Sequence, residues 1–212
     1  MKIYDVTAPI FEGMPVYKNK NEKQPEIKTV TNGHVTESRI SLDVHTGTHV
    51  DAPLHMMNDG ATIESIQIEQ LIRPCKVFDL THLEEKIQEK DIQHLSIEKG
   101  DFVLFKTKNS FDETFNFDFI YVAQCASRFL AERHIAGVGI DALGIERAQE
   151  GHPTHRTLME KNIIIIEGLR LKEVPEGNYF MVAAPLKIMG TDASPARIVL
   201  IENSENIPFA SS

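Results

Sequence analysis

The residues best suited to chemistry gather in one short stretch, His45-Thr46-Gly47-Thr48-His49-Val50-Asp51-Ala52-Pro53-Leu54-His55, which holds three of the chain's nine histidines. Neutral imidazole nitrogen and carboxylate oxygen are the donors that borderline-soft divalent ions such as zinc accept, and a catalytic site keeps one position open for water. The spacing supports such a site. His45, Gly47, His49, Asp51 and His55 share one parity, so an extended chain projects them to one side. Val, Thr, Gly and Pro disfavour a helix here, and a helix would align His45 with His49 but turn Asp51 away. Gly47 and Ala52 let the backbone approach an ion closely. A single histidine at a strand end is ordinarily a hydrogen-bonded surface group; a His-x3-His-x-Asp-x3-His set reads as a metal site.

A second polar cluster lies downstream. His152-Pro153-Thr154-His155 precedes a helical stretch, and Glu167 follows the four isoleucines of residues 163–166, just before Gly168. A carboxylate at the end of a buried strand is where α/β proteins place working residues. Taken alone, Glu167, His152 and His155 are weak signals, and their value depends on the fold bringing them to the first cluster. Cys75 and Cys125 lie fifty residues apart with no CxxC pairing. Both read as core residues in a reducing compartment rather than as a disulfide or a nucleophile.

The elements that must position these groups alternate between strand and helix. Strands are expected over 3–9, 26–31 and 35–44, then over 75–80 and 102–106, with a polar helical crossover over 84–95 between the last two. Val122, Cys125, Ala126, Phe129 and Leu130 recur at i, i+3, i+4, i+7 and i+8, which predicts an amphipathic helix over 121–134. Strands follow at 137–140, 163–166, 180–184 and 197–201, with a short helix over 157–161. No repeat or linker interrupts this order, so the pattern predicts one mixed α/β domain over residues 1–212.

Composition agrees. The chain has 212 residues, 42% hydrophobic and 25% charged, enough apolar material for a packed core. Its 22 Lys+Arg against 31 Asp+Glu give a net charge of −9, which argues against a nucleic-acid backbone as partner. The opening residues carry charges at once, unlike a signal peptide, and no apolar run approaches a membrane span. A cytoplasmic protein acting on a small molecule, with no membrane or nucleic-acid partner, is expected.

The stretch from His45 to His55 resembles the signature of the cyclase family of metal-dependent hydrolases, which includes the bacterial kynurenine formamidases. The resemblance runs nearly the whole chain: Gly13-Met14-Pro15-Val16-Tyr17, Gly139-Ile140-Asp141, Ile166-Glu167-Gly168-Leu169, Val174-Pro175-x-Gly177, and Pro185-Leu186-Lys187-x3-Thr191-Asp192-x-Ser194-Pro195. It implies the swivelling β/β/α fold, commonly as a homodimer. It also implies two divalent ions per chain, usually zinc and sometimes manganese. His45 and His49 match ligands of one ion, His155 and Glu167 match ligands of the other, and Asp51 matches the carboxylate between them. His55 matches the general acid/base, and Tyr17 sits where formamidases tend to carry a pocket-lining Trp.

Two cations sharing a carboxylate would acidify a water enough to attack an amide or formyl carbonyl near neutral pH, with His55 passing the proton to the departing amine. The implied activity is hydrolysis of an amide-type C–N bond, an aryl formamide of the N-formylkynurenine kind first. The alternatives are ring opening of a cyclic amide or lactone, as in an isatin-like substrate, and a metal-binding protein without catalysis. Four features differ from the formamidase pattern: Tyr17 itself, Lys18-Asn19-Lys20 after it, Asp141-Ala142-Leu143-Gly144-Ile145-Glu146 in place of an Asp-Thr-Pro-Ser stretch, and Arg156 where a second His is usual. None touches the ligand set; all bear on which acyl or aryl group is accepted.

Overall fold

The computed structural model describes residues 1–202; residues 203–212, the end of the expected 1–212 domain, lie outside it. Among the described residues twelve strands are formed: β1 (Ile3–Asp5), β2 (Glu26–Asn32), β3 (Val35–Ser41), β4 (His49–Asp51), β5 (Ile72–Asp79), β6 (Lys86–Ile87), β7 (Phe102–Lys106), β8 (Tyr121–Val122), β9 (Gly137–Ile140), β10 (Ile164–Glu167), β11 (Gly177–Pro185) and β12 (Ala193–Glu202). Three helices accompany them: α1 (Glu89–Ile92), α2 (Gln124–Glu132) and α3 (Pro153–Met159).

Eight strands form one sheet in the order β1-β12-β11-β5-β7-β9-β10-β4, and β4 also pairs with β12. That extra pairing closes the sheet on itself into a barrel-like ring, with β4 paired to residues 193–195 of β12 and β1 to residues 199–201. Strands β5, β7, β9 and β10 run parallel, whereas β4 is antiparallel to both neighbours. Parallel strands covered on both faces read as continuous apolar runs, as Phe102–Lys106 and the isoleucines before Glu167 do.

Two apolar cores result. One draws no residue from α1, α2 or α3 and fills the closed sheet, with Val50, Leu104, Ile164, Ile166 and Met181 among its members. The other lies between the sheet's outer face and the helices, joining Val103, Phe105, Ile140 and Ile165 to Ala126, Leu130 and Leu158. Ile164 and Ile166 enter the first core and Ile165 the second, as strand alternation requires. This is the mixed α/β fold that the family resemblance implies.

Local expectations hold where a run is buried and shift where partners intervene. Residues 102–106 and 137–140 are strands as expected. Tyr121 and Val122 are not helical: they pair with Lys86 and Ile87, and the helix starts at Gln124. The 84–95 segment holds that short strand and a single helical turn, not a crossover helix. The helix expected over 157–161 is α3, which begins at Pro153 and so takes in His155. Proline is favoured at that first helical position, because its missing N–H would have no partner there. Cys75 is core, its thiol pushed up to about 12 by burial. Cys125 corrects the expectation: it is only half-buried, on the flank of the α2 stripe. The strand expected over 35–44 stops at Ser41, and β2 and β3 form a separate, largely exposed two-stranded ribbon.

Candidate metal centre

The centre is built on β4, and sheet closure explains why. In the antiparallel pairing of β10 with β4, Glu167 lies directly opposite His49 and Ile165 opposite Asp51. Opposed residues of an antiparallel pair point to the same face. His49 Nε2 accordingly stands 3.3 Å from Glu167 Oε2 and 3.4 Å from Asp51 Oδ1. Val50 points the other way, into the enclosed core.

The extended-chain expectation is corrected beyond these three residues. His45 sits in a turn and His55 ends a 3-10 turn over Pro53–His55, so shared parity is not what gathers them. His45 is held because its N–H donates to Asp43 Oδ1, while Thr46 N–H and hydroxyl donate to the Asp43 carbonyl. Gly47 follows at φ +62°, a left-handed conformation that glycine adopts without cost. A Cβ on Gly168, itself at φ +71°, would lie 2.2 Å from the Gly47 carbonyl oxygen, so the two backbones touch under the site.

Around Asp51 the ligand candidates divide. Its Oδ1 lies 3.1 Å from His45 Nδ1 and on the same side as His49, whereas its Oδ2 lies 3.7 Å from His155 Nε2. His155 Nε2 is 3.2 Å from Glu167 Oε1, which also accepts from the Ile145 N–H. The five residues expected as ligands are thus brought together around one carboxylate. His55 joins them: its ring lies 4.2 Å from that of His45 and 5.6 Å from that of His155.

The donor set fits a divalent cation. Asp51 Oδ1 and Oδ2 and His49 Nε2 are buried and make no hydrogen bond, a costly state for isolated polar atoms. His49 Nδ1 faces the Gly47 carbonyl at 2.9 Å. A proton held there leaves the Nε2 lone pair for an ion, the arrangement usual for metal-bound histidine. Burial pulls the His45 and His155 imidazoliums down, but Asp51 and Asp192 outweigh it for His45, and Glu146 and Glu167 for His155. They stand at about 9 and about 10. Burial likewise opposes the charge on Glu167, yet His155 and His49 hold it well below the usual carboxylate range.

Two carboxylates emerge that sequence reading did not assign. Asp192 Oδ2 lies 3.0 Å from His45 Nε2 and 3.2 Å from His55 Nδ1. It stands within the Thr191-Asp192-x-Ser194-Pro195 match, which was the available signal. Glu146 Oε2 accepts from the backbone N–H groups of Thr154 and His155, taking up open donors at the start of α3. It falls in the segment that departs from the formamidase pattern, and nothing local marks it.

Tyr17 sits in a tight turn over Tyr17–Asn19, half-buried, with its ring 5.5 Å from that of Phe115 in an edge-on contact. Burial raises its phenol, and the carboxylates of Glu167 and Glu146 add to the rise, which brings the ring within electrostatic reach of the centre. A cavity of about 260 Å³, lined by Phe11, Met14, Phe115, Phe119 and Arg170, lies behind Gly47 and Gly168. No ligand side chain borders it.

Comparison with known proteins agrees with this geometry. A family model described as a cyclase matches residues 4–147. The kynurenine formamidase of Polaromonas naphthalenivorans is 30% identical over 96% of this chain and 92% of its own. A solved structure described as a potential metal-dependent hydrolase with cyclase activity is 67% identical, with a TM-score of 0.90 over 94% of this chain and 96% of that one. Isatin hydrolase A of Labrenzia aggregata shares the fold, with a TM-score of 0.83 at 24% identity over 94% and 93% of the two chains. A chain with this match, this fold and this donor set belongs to the cyclase family of metal-dependent hydrolases.

Proposed function

We propose that this chain is a binuclear-metal hydrolase that cleaves an amide-type C–N bond, with an aryl formamide of the N-formylkynurenine kind as its substrate. The observation that carries the reading is the convergence of buried atoms of His49 and Asp51 that make no hydrogen bond beside a more accessible histidine, His55. His45, His49 and Asp51 would hold one ion, and Asp51, His155 and Glu167 the other. Zinc suits this nitrogen and carboxylate set, with manganese as the second choice. When bound, the ions would supply a water acidified toward neutrality and a positive charge against the carbonyl oxygen.

The chain's own residues supply the rest. His55 presents Nδ1 to Asp192, which leaves Nε2 free to exchange a proton. Burial, the largest influence on His55, lowers its proton affinity, so the ring is a proton acceptor near pH 7. It takes a proton from the attacking water and returns it to the amine nitrogen as the C–N bond breaks. Water and a formamide thus give formate and an aryl amine. Tyr17 offers an aromatic edge and a hydroxyl to the substrate's ring. The reading includes a single cytoplasmic domain working as a homodimer or higher homo-oligomer. Among the described residues, no helix is long and apolar enough to cross a membrane.

The test is turnover by the zinc-loaded protein of a panel of N-formyl aromatic amines, cyclic imides and lactones. Formate release from an aryl formamide is expected. Ring opening with no formamide cleavage would overturn the substrate, and a metal-loaded protein inert to the whole panel would overturn the hydrolase reading.

A further inference from the structure

On the outward side of His155, a second set of donors converges. Glu146, His152 and His155 each offer one ligand atom, and these three atoms lie within 4.8 Å of one another. Glu146 Oε1 is 2.9 Å from His152 Nδ1 and 3.6 Å from His155 Nδ1. Two ligands each about 2.0–2.1 Å from a tetrahedral zinc are about 3.3 Å apart, a value these two spacings bracket. Glu146 Oε1 and His155 Nδ1 are both buried and make no hydrogen bond, so ionic contacts among the three side chains are all that compensates them at this point.

The arrangement is fixed from three directions. The other Glu146 oxygen is engaged by the Thr154 and His155 N–H groups and by Gln149 Nε2 at 3.2 Å, which leaves Oε1 in place. His152 is held at φ +51° immediately before Pro153, and its side chain is 60% exposed. It borders an outer cavity of about 560 Å³ where Asn58, Asp59 and Glu160 offer further oxygens. An ion entering through this cavity meets the exposed His152 first.

We propose that Glu146, His152 and His155 form an outer divalent-cation site that shares His155 with the inner centre. A neutral imidazole has a single lone-pair nitrogen. His155 therefore serves the inner centre through Nε2 or the outer site through Nδ1, one at a time. The outer site has three protein ligands while the Glu167 side of the centre is empty. It is reduced to Glu146 and His152 once that side is filled. The exchange rests on the binuclear reading; the outer site stands on its three donors alone.

Zinc alone is the probe, titrated into the full-length protein against a chromogenic chelator. Asp51→Asn disables the inner centre, and this variant is expected to keep about one zinc per chain. Adding His152→Gly, chosen because glycine accepts φ +51°, should weaken that zinc at least tenfold. If Asp51→Asn binds no zinc, or His152→Gly changes nothing in it, the outer site is overturned and Glu146 only orients His155. Failure of the binuclear reading has a different signature: Asp51→Asn would hold as much zinc as the parent chain. Should Asp51→Asn not fold, anomalous diffraction from parent crystals in excess zinc replaces it. A peak bonded to Glu146 and His152 is expected, and its absence overturns the proposal.

Discussion

The two halves of the centre are built differently. His49, Asp51 and Glu167 stand on paired strands with side chains no more than 5% exposed, whereas His45, His55 and Asp192 come from turns and are 15%, 25% and 39% exposed. The strand half is positioned by cross-strand register, which cannot slip by one residue without turning every side chain to the other face. The turn half depends on local hydrogen bonds such as those around Asp43, and on one long-range anchor, the Ala52 N–H donating to the Asp192 carbonyl. The dry strand half suits holding ions, and the wetter half, beyond supplying His45, suits moving protons through His55 and admitting substrate.

The most severe way to break this division is Asp51→Asn, which removes charge from the carboxylate facing both ligand groups. Turnover should fall to background, and tightly bound zinc should drop from two ions per chain to one at most, by metal analysis. His55→Ala strikes the other half. It should keep both inner ions yet lose about 10²–10⁴-fold in kcat. Loss of metal alongside activity would make His55 a ligand and erase the division.

Gly168→Ala tests the rigidity under the strand half. The substitution forces a positive φ on alanine and drives its Cβ into the Gly47 carbonyl, so a loss of about 2 kcal/mol is expected in chemical denaturation. An unchanged unfolding midpoint would mean that the two loops part freely.

pH separates the metal-free and loaded states. His45 and His155 have proton affinities raised in the folded, metal-free chain, so their stabilising contribution is complete below the unfolded value of about 6.5. It is lost as pH rises through about 9 and about 10. Glu167, lowered on folding, contributes above about 4.5 and loses its contribution only as pH falls through its lower folded value. The chelated protein should therefore melt at a lower temperature at pH 9.5 than at pH 6.5, while the zinc-loaded protein should shift less. Zinc binding at pH 7 should release protons, measurable by calorimetry in buffers of different ionisation enthalpy. Binding without proton release would remove His45 and His155 from the ligand set.

The smallest effect is expected at the edge of the centre. Tyr17→Ala should raise KM for an aryl formamide about tenfold with a lesser change in kcat, and Tyr17→Phe less still. A fall in kcat at constant KM would give the hydroxyl a part in the chemistry instead.

Much of this was legible in the residues, though unevenly. Phe102–Lys106 and Gly137–Ile140 announce themselves because central parallel strands must be apolar along their length. The His45–His55 stretch announces its chemistry because its donors are neighbours in sequence. Local pattern misleads where a tertiary partner overrides it. Val122 fits the helical stripe, yet it becomes strand by pairing with Ile87. Parity groups His45 with Asp51, yet a turn at Gly47 is what brings them to 3.1 Å.

By itself, the sequence determined what kind of chemistry this protein carries, because imidazoles and a carboxylate within eleven residues stay close in any compact fold. Only the tertiary structure decided which distant groups complete the centre. Glu167 reaches His49 because the sheet closes through β4, and Asp192 reaches His55 across 137 residues because β12 pairs with that same short strand. Such contacts depend on register between strands far apart in the chain, and register is set by the packing of the whole sheet rather than by any segment of it.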